Sequence, residues 1–324
     1  MKDKMIINVA CAADDNFAQH LCVTLLSLVK NLSNGRTVNI IILDGGIVEK
    51  NINRIKNSLR GYKNKITSLK FVKIDDFDFL KYKVSKNLSR AAYFRINLPD
   101  LLPYLDKIIY FDSDLVVDGD VSELFDESFD GKYLIAVRDH SLEMEFEYSS
   151  KFHIPNIIGY FNSGVLVIDL KAFRENAITE KVFESMSRIN ELTTTPDQTS
   201  LNDVLYDKWK ATSPKWNQLA GVSIEKNYKK TTYSKSDFLE AKNNPKIIHY
   251  SSPFSKPWKF ECISPHKDKY FYYLSLTEFN QYKVDINFKK LLLKALFLIY
   301  FIYTPNVIKK FIFNVANLVK LYKQ

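Results

Sequence analysis

Asp112-Ser113-Asp114 sits between two apolar runs, Ile108-Ile109-Tyr110-Phe111 before it and Leu115-Val116-Val117 after it. Acids set into such a run are hard to explain as a casual surface loop. Two neighbouring carboxylates repel each other unless a cation lies between them. Oxygen ligands favour Mg²⁺ or Mn²⁺, and an added imidazole tilts the choice toward Mn²⁺. His249 follows Ile247-Ile248 at another strand end and is the candidate imidazole. Lys256-Pro257-Trp258 lies just downstream, where Lys256 can act as a point cation on phosphate. Each feature also has a plainer reading: acidic caps on a turn, a structural histidine, a surface lysine beside a packed Trp.

The elements that must carry these residues follow from periodicity. Met5–Cys11 reads as a buried strand, and Phe17, Leu21, Leu25, Leu28 and Leu32 then fall on one helical face that Asn34-Gly35 ends. Val38–Leu43 is a second strand, Ile47–Leu59 a helix and Ser68–Ile74 a third strand. Lys107–Phe111, Tyr133–Val137, Val165–Ile168 and Lys246–His249 are further strands. Thr179–Ile189 and Pro196–Leu205 are helices, the second with Asp197 in its first turn. Strand and helix in alternation predict an α/β fold with a mainly parallel sheet. Ligands of such sheets bind at the carboxyl ends of strands, so chemistry is expected just after Cys11, Leu43 and Phe111. Asp112 and Asp114, two apart, would point the same way if the strand ran on through them.

Charge is unevenly spread. The 46 basic and 37 acidic residues leave +9, and from Lys283 onward eight Lys face a single Asp285, which accounts for +7 of it. A body carrying only +2 argues against a nucleic-acid partner, which needs a basic face on the folded domain. Three scattered cysteines (Cys11, Cys22, Cys262) match neither a disulfide framework nor a zinc site and fit a reducing compartment. The opening Met1-Lys2-Asp3-Lys4 leads into too short an apolar stretch for a signal peptide. Ala295–Tyr303 is too short to span a bilayer, which takes ~20 residues. The composition shift near 283 divides the chain into a catalytic domain, 1–282, and a basic tail, 283–324.

Six motifs occur in one order: Ala12–Asn16 (AADDN), Tyr93-Phe94-Arg95, Tyr110–Asp114 (YFDSD), Phe161–Gly164 (FNSG), Asp197-Gln198, and His249 through Lys256-Pro257-Trp258. Together they resemble glycosyltransferase family 8, retaining sugar transferases of the GT-A fold, and above all bacterial lipooligosaccharide and lipopolysaccharide galactosyl- or glucosyltransferases. The resemblance implies a single Rossmann-like sheet flanked by helices, a UDP-galactose or UDP-glucose donor, and Mn²⁺, with Mg²⁺ as the alternative. It places Asp112, Asp114 and His249 on the metal. Ala12, Asp14 and Asn16 fall at the uridine, and Lys256 at the diphosphate. Arg95, Asp139, Asn162, Asp197 and Gln198 line the sugar, and Ser113 joins the donor contacts. It implies front-face displacement, with Gln198 at the anomeric centre and Asp197 gripping hydroxyls. Helix capping after Thr195-Pro196 is the plainer account of that pair, and capping by Asp14 or Asp15 that of the first motif. In the last motif Ser252 stands where the family has Gly, with one residue added before Lys256.

The tail sets Phe288, Leu291, Leu292, Ala295, Leu296 and Ile299 at helical spacing, breaks at Pro305, and resumes through Val307 to Val319. Lys-rich amphipathic helices with aromatic residues lie in a bilayer interface. The expectation is a cytoplasmic enzyme held on the inner face of an anionic membrane, acting on a lipid-linked saccharide; packing of the tail on the body or on a second copy is the alternative. Two other functions compete. A haloacid-dehalogenase-type phosphatase would use Asp112 as nucleophile, and a membrane-associated scaffold would use the acids only as caps.

Overall fold

Alternation inside the apolar strands decides the architecture. In β1 (Met5–Ala13) Ile7, Val9 and Cys11 face one way and Ala10 and Ala12 the other, and all five are buried. β2 (Arg36–Asp44) repeats this, with Val38, Ile40 and Ile42 opposed to Ile41 and Leu43. Strands apolar on both faces need cover on both, and the two sets of side chains enter two separate hydrophobic clusters. The computed structural model describes residues 5–75, 79–82, 89–139, 159–190, 192–223, 228–229 and 231–284. The expected tail helices fall on 285–324, outside the described residues.

The later strands are β3 (Ile66–Lys73), β4 (Lys107–Phe111), β5 (Leu115–Val117), β6 (Leu134–Arg138), β7 (Phe161–Asp169), β8 (Trp209–Ala211) and β9 (Ile247–His249). Seven of them form one sheet in the order β3-β2-β1-β4-β7-β6-β8. Only β7 runs against its neighbours β4 and β6, so the sheet is mainly parallel, as the sequence predicts. The chain works outward from β1 to β2 and β3, then returns to the other flank of β1 as β4. Strand order reverses there, and a crevice opens at the carboxyl ends of β1 and β4. Among the described residues no helix is long and apolar enough to cross a membrane.

β5 and β9 make a separate two-stranded antiparallel ribbon. The far edge of β5 has no strand beside it. Helix α1 (Ala18–Asn31) fills that place with side chains one or two turns apart. Thr24 Oγ1 donates to Leu115 O at 2.9 Å, Val117 N donates to Ser27 Oγ at 2.9 Å, and Asn31 Nδ2 donates to Val117 O at 2.8 Å. The backbone of a buried three-residue strand is thereby satisfied on both sides.

β4 and the helix Pro196–Leu205 have the predicted limits. β7 begins at Phe161, four residues before the predicted Val165, because Asn162 and Ser163 are buried polar residues inside a strand. The strand also does not run through the two acids. β4 ends at Phe111, and the chain turns at Asp112–Asp114 into the β5–β9 ribbon. The acids therefore occupy a corner between two sheets rather than alternate positions on one strand face.

Candidate active site

The corner is fixed from three directions. Asp112 N donates to Gly164 O of β7 at 2.8 Å, and Tyr250 N donates to Asp114 O at 3.1 Å. Ser113 Oγ donates to Ala12 O at 2.6 Å, tying the ends of β1 and β4 together across the crevice. The β5–β9 register pairs Leu115 with His249, which sets the imidazole beside Asp114 although 135 positions separate them in sequence. His249 Nε2 lies 3.3 Å from Asp114 Oδ1 and 3.8 Å from Asp112 Oδ2. One ligand atom from each of the three lies within 4.8 Å of the others. Two carboxylates and an imidazole at that spacing form a donor set that fits one divalent cation.

Lys256 is buried and puts Nζ 2.6 Å from Asp114 Oδ2 and 3.0 Å from Tyr250 O. Its ring neighbour Trp258, with the cation 5.3 Å above it, stacks on His20 at 3.6 Å. Burial pushes the His20 imidazole down to about 3, and the nearby Lys256 charge acts the same way against the opposing pull of Asp114. His20 is therefore neutral and adds no charge beside the lysine. The residue added before Lys256 is taken up by a turn in which Ser252 N donates to Ser255 Oγ at 3.0 Å and Ser255 Oγ donates to Ser252 O at 2.9 Å. The lysine reaches the acid despite the altered spacing.

Arg95 bridges the acids to the sugar-type cluster. Its Nη2 lies 3.0 Å from Asp112 Oδ1 and 3.3 Å from Asp197 Oδ2. Nη1 donates to Ser163 O at 2.5 Å, Nε donates to Ala92 O at 2.7 Å, and the guanidinium lies over the Tyr110 ring. Burial opposes its charge, but Asp112, Tyr110 and Asp197 outweigh that and raise its pKa. Beyond Arg95, Asn162 Nδ2 donates to Asp139 Oδ2 at 3.1 Å and to Gln198 Oε1 at 3.2 Å. Gln198 Nε2 donates to Asp139 Oδ2 at 3.1 Å. Gln198 Oε1 is turned into the protein, where Ser163 N also donates to it at 3.0 Å. Among the described residues Asp197 Oδ1 is buried and has no hydrogen-bond partner. A buried oxygen left open costs about 1–3 kcal/mol, so it marks a place where a donor such as a sugar hydroxyl would be gained.

An open cleft lies at the switch point. Ala12, Arg95, Asp112, Ser113 and Asp114 are on its wall, with Phe17 and Tyr110. Asp14 and Asn16 are not among the lining residues. The Asp14 carboxylate caps the turn Asp15–Phe17, accepting from Phe17 N at 3.2 Å. Asp15 Oδ1 accepts from Val48 N at 3.0 Å and Asn51 Nδ2 at 2.8 Å. Asp112, Asp114, His249 and Lys256 thus converge at one point, and Asp139, Asn162, Asp197 and Gln198 gather on the far side of Arg95.

Asn217 carries no sequence signal of its own, and Gly164 is legible only as the last residue of the Phe161–Gly164 motif. Asn217, between Trp216 and Gln218, hydrogen-bonds His249 Nδ1 at 2.9 Å. Gly164 leaves room for the metal-type cluster: a Cβ there would overlap the His249 ring and come 2.9 Å from Asp112 Oδ2. Gly164→Ala is expected to displace the imidazole, to cost about 1–3 kcal/mol as an overpacked core does, and to weaken divalent-cation uptake. Denaturant unfolding and a Mn²⁺ titration of the same variant check both effects, and wild-type values in both would refute the steric argument.

Comparison with known proteins gives a consistent result. The family model described as Glycosyl transferase family 8 matches residues 8–262. General stress protein A of Bacillus subtilis is 30% identical over 284 residues, 86% of this chain and 97% of that protein. The lipopolysaccharide 1,2-glucosyltransferase of Escherichia coli K12 is 30% identical over 275 residues, 80% of this chain and 75% of that protein. Among solved structures, the galactosyltransferase LgtC in complex with donor and acceptor sugar analogs superposes with a TM-score of 0.72 at 23% identity, covering 87% of this chain and 98% of that one. At that identity the likeness speaks for the fold.

Proposed function

From the premise that the chain belongs to glycosyl transferase family 8, we propose that it moves a hexose, galactose or glucose, from a UDP-sugar to a saccharide acceptor with retention of anomeric configuration. The phosphatase and scaffold alternatives fall with that family assignment, which covers residues 8–262 and makes the chain a glycosyltransferase. The observation that carries the finer reading is the convergence of Asp112, Asp114 and His249 beside Lys256.

In this reading Asp112, Asp114 and His249 would hold Mn²⁺, or Mg²⁺ in its place, and the imidazole favours the former. The cation, when bound, supplies Lewis-acid stabilisation of the charge that builds on the leaving diphosphate. Lys256 brings a second positive charge to the same place, already buried and aimed, so little reorganisation is needed as the charge develops. Ala12, Asp14 and Asn16 are placed at the nucleoside by family analogy. Ser113 acts from behind, through its bond to Ala12 O. Arg95 fixes the distance between the phosphate end and the sugar end of the site. Asp197 offers its open oxygen to a sugar hydroxyl, while Asp139, Asn162 and Gln198 form the polar wall beside it. Hydrolases that retain configuration place two carboxylates about the anomeric carbon; here the favoured route is front-face displacement, with Gln198 at the anomeric centre.

A relative named a glucosyltransferase supports a hexose donor. The named lipopolysaccharide relative also supports a lipid-linked acceptor. Calorimetric titration with UDP is expected to give binding that strengthens with Mn²⁺, and a panel of UDP-sugars should then yield UDP from one hexose in preference to the rest. UDP binding indifferent to Mn²⁺ would sink the metal assignment.

Residues 283–324 are proposed to hold the enzyme on the cytoplasmic face of an anionic membrane. Each basic side chain near such a surface adds about 1 kcal/mol, and eight Lys are present from Lys283 on. Removing the chain from Asn287 onward should leave UDP-sugar hydrolysis intact and release the protein from vesicles containing phosphatidylserine. Undiminished co-sedimentation of the shortened protein would refute the anchoring role.

A further inference from the structure

The amide side chains behind the cluster can be oriented without ambiguity, because their chain of hydrogen bonds starts on backbone N–H groups that can only donate. Gly164 N donates to the side-chain oxygen of Asn162 at 3.0 Å, which fixes Oδ1 of that residue as an acceptor. Asn217 meets the same oxygen at 2.9 Å and must therefore present its NH₂. Its own Oδ1 is then left facing His249 Nδ1, at 2.9 Å. An oxygen at that distance requires a proton on Nδ1, so in the neutral imidazole Nε2 is bare. Nε2 is the atom aimed at Asp114 and Asp112. On its other side Asn162 donates to Asp139 and Gln198, and Gln198 is pinned in turn by the N–H of Ser163. Asn217 is wholly buried, so water cannot replace either of its bonds.

We infer that Asn217 is a positioning residue that fixes the tautomer of His249 and, through Asn162, couples that imidazole to the carboxylate–amide wall of the proposed sugar site. The tautomer assignment stands on hydrogen bonds alone, whereas its consequence for cation affinity rests on the metal reading above. Partners that orient a metal-binding imidazole typically alter metal affinity about 10- to 100-fold when removed.

Two variants separate the two bonds. Asn217→Ala removes both. Asn217→Asp keeps an acceptor for Nδ1–H but sets an oxygen against Asn162 Oδ1. Long-range ¹H–¹⁵N correlation on the full-length, metal-free protein reads the tautomer directly, with His249→Gln assigning the signal. The expected result, read at alkaline pH where the imidazole is neutral, is a protonated Nδ1 and a bare Nε2 in the wild type. The Mn²⁺ dissociation constant, measured by the electron paramagnetic resonance of free Mn²⁺, should then rise about 10- to 100-fold in Asn217→Ala. In Asn217→Asp it should stay near the wild-type value while kcat for UDP-sugar hydrolysis falls. A protonated Nε2 in the wild type overturns the inference, as does an unchanged Mn²⁺ constant in a folded Asn217→Ala protein. Wild-type protein that shows the Nδ1–H tautomer yet takes up no Mn²⁺ would instead sink the metal reading and leave the tautomer assignment standing.

Discussion

Asp114→Asn is expected to lower transfer by about a thousandfold while leaving the protein folded. The carboxylate faces both His249 Nε2 and Lys256 Nζ, so its charge serves the proposed cation site and the buried lysine alike. Losing an ionic metal ligand removes several kcal/mol of stabilisation of developing charge, and roughly 4 kcal/mol corresponds to three powers of ten in rate. The fold survives because an amide oxygen still accepts from Lys256, which also keeps its bond to Tyr250 O. Burial alone would raise the Asp114 pKa, but the Lys256 ammonium 2.6 Å away holds it well below the usual carboxylate range. A depressed value in the folded state contributes stability that is present above the ordinary aspartate pKa of 3.8 and lost as pH falls through the folded one. The stability difference between metal-free wild type and Asp114→Asn should therefore be flat at neutral and mildly acidic pH and close only in strong acid. Urea midpoints across that range measure it. Normal turnover by the variant would remove Asp114 from the site altogether.

What the sequence discloses and what it hides divide along a physical line. β4 is legible because Lys107–Phe111 is a continuous apolar stretch in the middle of the sheet, where burial decides everything. The helix at Pro196 is legible because proline suits its first turn. The start of β7 is misread because Asn162 and Ser163 break the apolar pattern, and those are the residues the site uses. Both acids and His249 are recognisable by type and context, but their meeting depends on β5, a three-residue strand satisfied by Thr24, Ser27 and Asn31 of a distant helix. No local rule predicts such a strand. Asn217 and Gly164 matter through their contacts with His249, Asp112 and Asn162, to which local periodicity cannot connect them. Asp14 shows a cap that the sequence does reveal: its Oδ1 accepts from Phe17 N, as an acid before a helical turn is expected to do.

Arg95 carries the second large expected effect. Its guanidinium joins Asp112, Asp197, Ser163 and Ala92 at once, with the residue almost wholly buried. Arg95→Ala leaves the buried Asp197 carboxylate and the partly exposed Asp112 carboxylate without their shared cation, and two carbonyls without their donor. Breaking a buried pair in this way costs about 3–5 kcal/mol, a drop in Tm of about 4–7 °C for a chain of this length. Arg95→Lys should recover only part of it, since one ammonium cannot span both acids and the Ser163 carbonyl. The pH dependence has a definite sign. Burial already raises the Asp197 pKa, Arg95 works against that rise, and Asp112 adds to it. Without the arginine the folded-state value climbs further. A group whose folded pKa lies above its unfolded one favours the folded state most at low pH, and that contribution fades as pH rises through the folded value. Arg95→Ala should therefore regain stability on mild acidification, the opposite sense to the loss that the Asp114 carboxylate brings in strong acid. Denaturant midpoints of the variant at neutral and mildly acidic pH measure the effect, alongside UDP-sugar hydrolysis, which should collapse because the phosphate and sugar ends of the site are no longer held apart. A variant as stable as wild type at neutral pH, or one that loses stability on mild acidification, would show that the Asp197 carboxylate does not depend on Arg95 for its charge.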